Sequence, residues 1–486
     1  MNKHNSYISN SDKKNYVFGL KLVVSFALLI CYFFHVSPQF NMGYDAALID
    51  KMDRLKSIEG PKIVLIGNSN LSFGINSELL EQELNMPVVN MGLHGSAGNA
   101  FHEEMAKQNV CPGDIYIVCH SEFDDNDMLD DPVINWLALE DNFSMWKLIR
   151  PKDIKSMLWN FPIYLKKCLP LYSSGTGNQD DHGMYSRSAF NVYGDNATLR
   201  IGSAFTEIVP VRCPKVNDIT SSRINELNEY LKERGASLVV AAYPIGNGNK
   251  TDDVLQFVNF QEELQNKLDC PVISNYVDYM YDYTYFYDAN YLHLNTEGAN
   301  IRTRQLIDDI KRWERTGDEA YIEGDGYIDI VSDANLSHID NILEYLDALI
   351  IAKDRYAIFV SACDDYATSM SPEIIEKLHQ LDISNEFSCG SYAGFVSVIE
   401  NGNSVYENYA DEEIYTTGFV DNSMLEYTIT SVTDSNGWVN SIILNGREYS
   451  KDTKGINIVV YSNETHRILD TISFDAYEKD MSVNRE

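Results

Sequence analysis

Residues 62–74, K-I-V-L-I-G-N-S-N-L-S-F-G, constrain the fold of this chain more than any other stretch. A short run of aliphatic residues stops at the G-N-S-N turn of residues 67–70, and residues 77–84 then place apolar side chains at helical spacing. The run alone fits a strand or a buried helix, but the turn favours a strand. Such a strand–turn–helix unit places the Ser69 hydroxyl at the edge of a sheet, near backbone N–H groups that can bind a negatively charged oxygen.

The alternation of β-rich runs and helical patterns continues over residues 61–313. The predicted strands are 62–66, 88–91, 115–119, 237–242 and 272–274, and the predicted helices are 77–84, 99–108, 221–234, 252–268 and 297–313. This alternation predicts an α/β domain with a mostly parallel sheet that helices cover on both faces. Ligands bind such sheets at the carboxyl ends of the strands, where Ser69, Gly92 and Glu122 are expected.

Residues 123–217 interrupt this alternation. The segment is rich in Trp, Tyr and Asp, and residues 185–195 read Y-S-R-S-A-F-N-V-Y-G-D. It is too long for a plain loop, so we predict an inserted cap over the active site, with a purely structural excursion as the alternative.

A second polar stretch, F-Y-D-A-N-Y-L-H-L-N-T-E-G at residues 286–298, precedes the last predicted helix of this region. A histidine that follows an aspartate by a few residues can act as a general base held by an acid. His293 is therefore the candidate base. Asp288 is the candidate acid, and Asn290, three residues before the histidine, is a weaker candidate orienter.

Taken together, these stretches resemble the SGNH (GDSL-like) hydrolase superfamily. Residues 67–69 (G-N-S) stand where that family has its Gly-Asp-Ser block, residues 89–92 (V-N-M-G) where it has its second-block glycine, and residues 288–293 where it has its Asp-x-x-His block. The order and spacing of the blocks agree, and the resemblance covers roughly residues 61–313. It implies a flavodoxin-like three-layer fold.

The resemblance also implies a mechanism. Ser69 would attack an ester carbonyl, His293 would take the serine proton, and Asp288 would hold the imidazole. The backbone N–H groups of Ser69 and Gly92 would stabilise the oxyanion.

The chain departs from the family pattern at two places. The acid normally lies three residues before the histidine, where this chain has Asn290. The third block, Gly-x-Asn-Asp, is missing, since residues 120–126 read H-S-E-F-D-D-N. The asparagine that completes the family's oxyanion hole is therefore unassigned, and Asn70 and Glu122 are the remaining candidate polar contacts.

These departures resemble the divergent, membrane-anchored SGNH proteins of cell-envelope acylation. That resemblance implies a cell-envelope polysaccharide as substrate and a membrane-bound O-acyltransferase as partner. It favours an O-acyltransferase over a free esterase. The alternative is a non-catalytic, glycan-binding surface protein with a degenerate SGNH domain, which the missing third block would suit.

The first 36 residues predict membrane attachment. Residues 1–15 are polar and contain three lysines, whereas residues 16–36 are almost entirely apolar and long enough to cross a bilayer. Because no small-x-small cleavage site follows, a signal anchor is favoured over a cleaved signal peptide. The lysines place the tail in the cytoplasm and the bulk of the chain outside the cell.

The charge and the cysteines exclude several classes of partner. A formal net charge of −34 argues against nucleic acid and against binding of anionic lipid by the protein surface. The eight cysteines show neither C-x-x-C nor zinc-ligand spacing. The sequence shows neither a metal site nor a phosphate-cradling loop, so we expect no metal and no cofactor.

Residues 314–325 are polar and contain glycine, which is typical of a linker. β-rich stretches and two helical patterns in residues 326–486 predict a separate α+β domain. Its strings at 455–461, 473–477, 361–367 and 390–395 resemble blocks of the interleukin-like EMT inducer (ILEI) domain. The blocks occur in permuted order, which indicates a circular permutation. The resemblance implies carbohydrate binding, with a packing or dimerisation module as the alternative.

Overall fold

The structure, a computed structural model, describes most of the 486-residue chain. The described residues are 10–35, 38–123, 129, 131–140, 142–180, 182–203, 211–247, 254–288, 292–320, 329, 332–333, 335–368, 370–384, 393–434, 437–451, 455–464, 466–476 and 481–485. Asn290, the weaker candidate orienter, lies outside them.

A parallel four-stranded sheet organises the first domain, in the order β2–β1–β3–β4. Its strands are β1 (Ile63–Ile66), β2 (Val88–Asn90), β3 (Ile115–Val118) and β4 (Ser237–Val240). An isolated parallel bridge joins Val240 to Val272, so the fifth predicted strand is present as a single bridge. The order along the sheet reverses between β1 and β3, and such a reversal opens a crevice at the carboxyl ends of these strands.

Helices cover both faces of this sheet. Val64 and Ile66 of β1 belong to one hydrophobic core and Ile63 and Leu65 to the other, because successive side chains of a strand point to opposite faces. The helices are α2 (Ala47–Ser57), α3 (Ser69–Gly74), α4 (Ser77–Leu84), α5 (Asn99–Ala106), α8 (Asp218–Lys232), α9 (Val254–Lys267) and α10 (Thr296–Thr316). The predicted α/β class with a parallel sheet is confirmed.

Local capping explains where these helices begin and end. The Asn76 side chain accepts the Leu79 N–H at the start of α4, and Asn85 ends that helix with a φ of 50°. The Asn295 side chain accepts the Gly298 N–H at the start of α10, and Gly317 ends it with a φ of 76°. The predicted helix 77–84 therefore matches α4 at both ends.

One helix, α1 (Asn10–His35), precedes the domain. Its segment Lys13–Cys31 is 19 residues long and apolar, and none of its residues is fully buried, which suits a membrane span by length and composition. A signal sequence near an N-terminus has the same properties. The helix begins six residues before the predicted boundary at residue 16.

In the inserted segment 123–217, the described residues include two α-helices and an irregular stretch. α6 (Pro132–Leu139) packs on α7 (Ile154–Ser174), and the Trp136 and Tyr164 rings stack with centroids 5.3 Å apart. Residues 182–203 then return towards β1 and α3, where the Asn196 N–H donates to Ser72 O at 2.7 Å.

Two small strand pairs lie near the end of the first domain. β5 (Ile245–Asn247) pairs in parallel with β6 (Met280–Asp282), and β7 (Phe286–Asp288) pairs antiparallel with β8 (His293–Leu294).

The C-terminal part combines helices with two antiparallel sheets, which fits the predicted α+β class. A six-stranded sheet in the order β11–β10–β9–β16–β17–β18 faces a four-stranded sheet in the order β12–β13–β14–β15 across a shared core. Helices α11 (Ile342–Ala352) and α12 (Pro372–Gln380) pack on the other face of the larger sheet. The strands are β9 (Tyr356–Cys363), β10 (Gly394–Glu400), β11 (Asn403–Ala410), β12 (Ile414–Val420), β13 (Leu425–Asp434), β14 (Gly437–Leu444), β15 (Arg447–Glu448), β16 (Gly455–Ser462), β17 (Arg467–Phe474) and β18 (Val483–Asn484).

The two domains touch where the buried Arg467 guanidinium donates to Val277 O. The predicted linker 314–325 is in part integral to the first domain. Its first three residues end α10, and Ala320 is buried with its N–H donating to Val272 O at 2.7 Å.

Candidate active site

Ser69 is the first residue of α3, directly after β1 and the Gly67–Asn68 turn. The Asn68 side chain caps the helix by accepting the Asn70 N–H at 3.0 Å. Ser69 is partly exposed, whereas Asn68 and Asn70 on either side of it are buried. The strand end and the cap therefore present this hydroxyl at the carboxyl edge of the sheet.

The turn that carries Ser69 is fixed by buried hydrogen bonds. Asn68 Nδ2 donates to Ser121 Oγ after β3 at 2.6 Å, and Asn70 Nδ2 donates to Cys119 O at 3.0 Å. The Arg302 guanidinium of α10 donates to Asn70 O at 2.7 Å. Asn70, a predicted polar contact, is thus fully buried and holds the turn instead of facing a ligand.

His293 and Asp288 meet across the β7–β8 pair. The two residues are cross-strand partners, and His293 Nδ1 lies 2.7 Å from Asp288 Oδ1. A bulge between Phe286 and Asp288 accompanies this register. Asp288, although five residues before the histidine, therefore reaches the imidazole.

The imidazole lies against α3. The His293 and Phe73 rings stack with centroids 4.1 Å apart and planes 20° apart. Phe73 follows Ser69 by four residues, so both side chains occupy the same side of the helix. Within the described residues no hydrogen bond joins Ser69 to His293; the structure places the His–Asp pair beside the helix that Ser69 begins.

The inserted segment contributes two further residues to this site. The Tyr185 hydroxyl donates to Asp288 Oδ2 at 2.6 Å. The Arg200 guanidinium lies 5.3 Å from the centre of the Phe73 ring, and Arg200 Nε donates to Leu294 O at 2.9 Å. The predicted cap segment therefore supplies a wall of the site.

The carboxyl of Asp288 is held in its ionised form. Burial opposes ionisation, but the hydrogen bonds from His293 and Tyr185 together with the nearby charges outweigh it and keep the pKa of Asp288 below its usual range. Because an ionised carboxylate only accepts hydrogen bonds, His293 Nδ1 carries the proton and Nε2 is the basic atom.

The role predicted for the Gly92 N–H is not supported by its hydrogen bonding. This N–H donates to Asn90 Oδ1 at 2.9 Å and is not free to bind an oxyanion. Gly92 instead permits close packing, since a Cβ at this position would lie 2.7 Å from Leu71 Cβ and 2.8 Å from Asn68 O. The Ser69 N–H is the remaining predicted oxyanion donor.

Glu122, the last predicted polar contact, is an exposed residue that follows β3. Its backbone C=O accepts a hydrogen bond from Asn99 Nδ2 at 2.9 Å.

Tyr185 and Arg200 were not predicted as site residues. The signal available for Tyr185 was its place in the Y-S-R-S-A-F string of the predicted cap; no local pattern marks Arg200.

No protein-family model, curated protein or solved structure matches the chain significantly. The function is therefore argued from the geometry of this site.

Proposed function

We propose that the chain is a membrane-anchored, extracytoplasmic SGNH-type O-acyltransferase or esterase that acts on cell-envelope polysaccharide through an acyl-serine intermediate. The observation that carries the proposal is the Asp288–His293 pair stacked on Phe73, one turn from Ser69. The sheet order, which reverses beside the strand that precedes Ser69, supports the flavodoxin-like fold that the SGNH resemblance implies.

The proposed reaction has two steps. Ser69 Oγ attacks the carbonyl carbon of an ester while His293 Nε2 takes the hydroxyl proton, and the resulting imidazolium is stabilised by Asp288. The tetrahedral intermediate expels the alcohol, which receives the proton from His293, and the acyl group remains on Ser69. A sugar hydroxyl or a water molecule then attacks the acyl carbon, with the same proton transfers in reverse, to give an acylated polysaccharide or a free acid.

An acyl-transfer assay on the full chain in detergent tests this proposal. We expect the wild type to hydrolyse p-nitrophenyl acetate and to accumulate an acetyl group on Ser69 that mass spectrometry locates. Ser69→Ala should abolish both signals. Ser57→Ala, which removes an exposed hydroxyl at the end of α2, should change neither. Equal turnover by wild type and Ser69→Ala would contradict the proposal.

A second candidate function, glycan binding without catalysis, is favoured by two observations. The Gly92 N–H is engaged by Asn90, which leaves the oxyanion hole with fewer donors than the resemblance implies. The C-terminal domain also contains a polar cavity of about 460 Å³ lined by residues that include Asn401, Asp421 and Asn463. Glycan binding that survives in Ser69→Ala, together with no acyl-serine in the wild type, would select this function.

A further inference from the structure

We propose that α7 lies on the surface of an anionic phospholipid bilayer and forms a second membrane contact beside the end of α1. The observations that carry this inference are the exposed apolar side chains of α7, the positive charge around them, and the hydrogen bonds that hold α7 next to the residues that follow α1.

The exposed side of α7 carries large apolar residues. Its opposite side is buried through Met157, Phe161, Tyr164 and Cys168, which follow helical spacing. The exposed members are Ile154, Leu158, Trp159, Ile163, Leu169 and Tyr172, and Trp159 is 83 % exposed. An exposed apolar surface of this kind marks an interaction site, and tryptophan and tyrosine are enriched at the interface between bilayer and water.

The same segment is positively charged in a chain whose net charge is −34. Residues 150–174 contain five basic residues and one acidic residue, Asp153, which is buried and paired with Arg150. Lys152, Lys155, Lys166 and Lys167 are all exposed. Basic residues beside exposed apolar side chains are typical of helices that lie in the interface of anionic membranes. The charge of this segment is therefore opposite in sign to the net charge of the whole chain.

Hydrogen bonds hold α7 next to the chain that leaves α1. The Gln39 and Phe40 N–H groups donate to the two carboxylate oxygens of Glu140 at 2.7 and 2.6 Å. Tyr164, in the buried face of α7, donates to the same Glu140 at 3.0 Å. Beyond the end of α7, the Asn178 N–H donates to Gln39 O at 2.7 Å.

These contacts place α7 within a few residues of His35, where the candidate membrane helix ends. A helix tethered at that point is within reach of the bilayer surface if α1 spans the membrane. The proximity, the apolar side chains and the lysines all favour lipid over a soluble protein as the occupant of this face.

Fluorescence of Trp159 in the full chain tests the inference. The chain is reconstituted in vesicles of phosphatidylglycerol and phosphatidylcholine or of phosphatidylcholine alone, and the signal of Trp159→Phe is subtracted to isolate Trp159. In the anionic vesicles we expect quenching by lipids brominated near the headgroup end of the acyl chain and protection from aqueous iodide. The triple variant Lys155→Glu/Lys166→Glu/Lys167→Glu should weaken the binding of α7 to the bilayer surface. We expect the equilibrium constant for this binding to fall by about five-fold for each lysine.

The matched control is Lys56→Glu/Lys232→Glu/Lys311→Glu, which makes the same charge change on α2, α8 and α10 and should leave the quenching unaltered. Equal access of iodide to Trp159 in both kinds of vesicle would overturn the inference. Protection found only in native membranes, and absent from the lipid vesicles, would also overturn it and assign the face to a membrane protein.

Discussion

Asp288→Asn tests whether the carboxylate beside His293 supports a base. The substitution keeps the shape of the side chain but removes the negative charge that lies 2.7 Å from Nδ1. Two unit charges about 4 Å apart attract by roughly 4 kcal/mol at an effective dielectric constant of 20. The Asp288 side chain is 25 % exposed, so screening by water reduces this to about 2 kcal/mol.

An energy of that size corresponds to about a 30-fold loss in kcat/KM. The asparagine can also present an N–H to Nδ1 and favour the wrong tautomer, which deepens the loss towards the roughly 10⁴-fold known for the equivalent change in serine proteases. Hydrolysis of p-nitrophenyl acetate by the two proteins measures this loss in kcat/KM.

Two control variants separate charge from position. Asp308→Asn removes an exposed carboxylate from α10 and should leave kcat/KM unchanged. Tyr185→Phe removes one hydrogen bond from Asp288 but keeps the bond to His293, so its loss should stay within about ten-fold. If Asp288→Asn kept kcat/KM within two-fold of the wild type, the assignment of Asp288 as the partner of a catalytic base would be wrong.

Three further predictions concern the frame around the site. Lys62→Met leaves the fully buried Asp114 carboxylate without its ion pair. We therefore expect urea titrations to show a loss of about 3–5 kcal/mol in the free energy of unfolding, and a loss below about 1 kcal/mol would contradict this. Burial raises the pKa of Asp309 to about 6 despite hydrogen bonds from Ser274 and Tyr279. Folding therefore takes up a proton between pH 4 and 6, and the free energy of unfolding falls as the pH rises through that window. Asp309→Asn should remove this dependence of the Tm on pH. Gly92→Ala places a methyl group against Leu71 and the backbone of the Ser69 turn. We expect the free energy of unfolding to fall by about 1–3 kcal/mol and the Tm to fall with it. An unchanged Tm would contradict this prediction.

The regular part of the α/β domain follows from local patterns. Residues 77–84 have Asn76 and Asn85 as caps, so the predicted and observed bounds of α4 are the same. The strand at 272–274 was over-predicted, because aliphatic residues mark burial and do not show how many ladder bonds the backbone forms.

Individual contacts of the candidate site were predictable where the two residues are close in the sequence. The pairing of His293 with an aspartate five residues away follows from one short motif. Tyr185 lies 103 residues from Asp288, and Arg200 lies 94 residues from Leu294, so their contacts depend on how the insertion folds back. The hydrogen bond from the Gly92 N–H to Asn90 Oδ1 could not be predicted either, because a sequence motif does not show in which direction a backbone N–H points.

The inserted segment connects the proposed chemistry to the proposed membrane contact. Residues 182–203 supply Tyr185 to the acid of the site, while α7, a few residues earlier in the same insertion, faces outward with its apolar and basic side chains. Both parts are held to the chain that follows α1, since Asn178 donates to Gln39 O and Arg187 donates to Asn41 O. If α7 rests on the bilayer, these bonds fix the distance and orientation of Ser69 relative to the lipid surface. An enzyme oriented in this way would act on acceptors close to the membrane. Substitutions that release α7 from the bilayer should therefore lower the rate of acyl transfer to a membrane-bound polysaccharide more than the rate of hydrolysis of a small soluble ester.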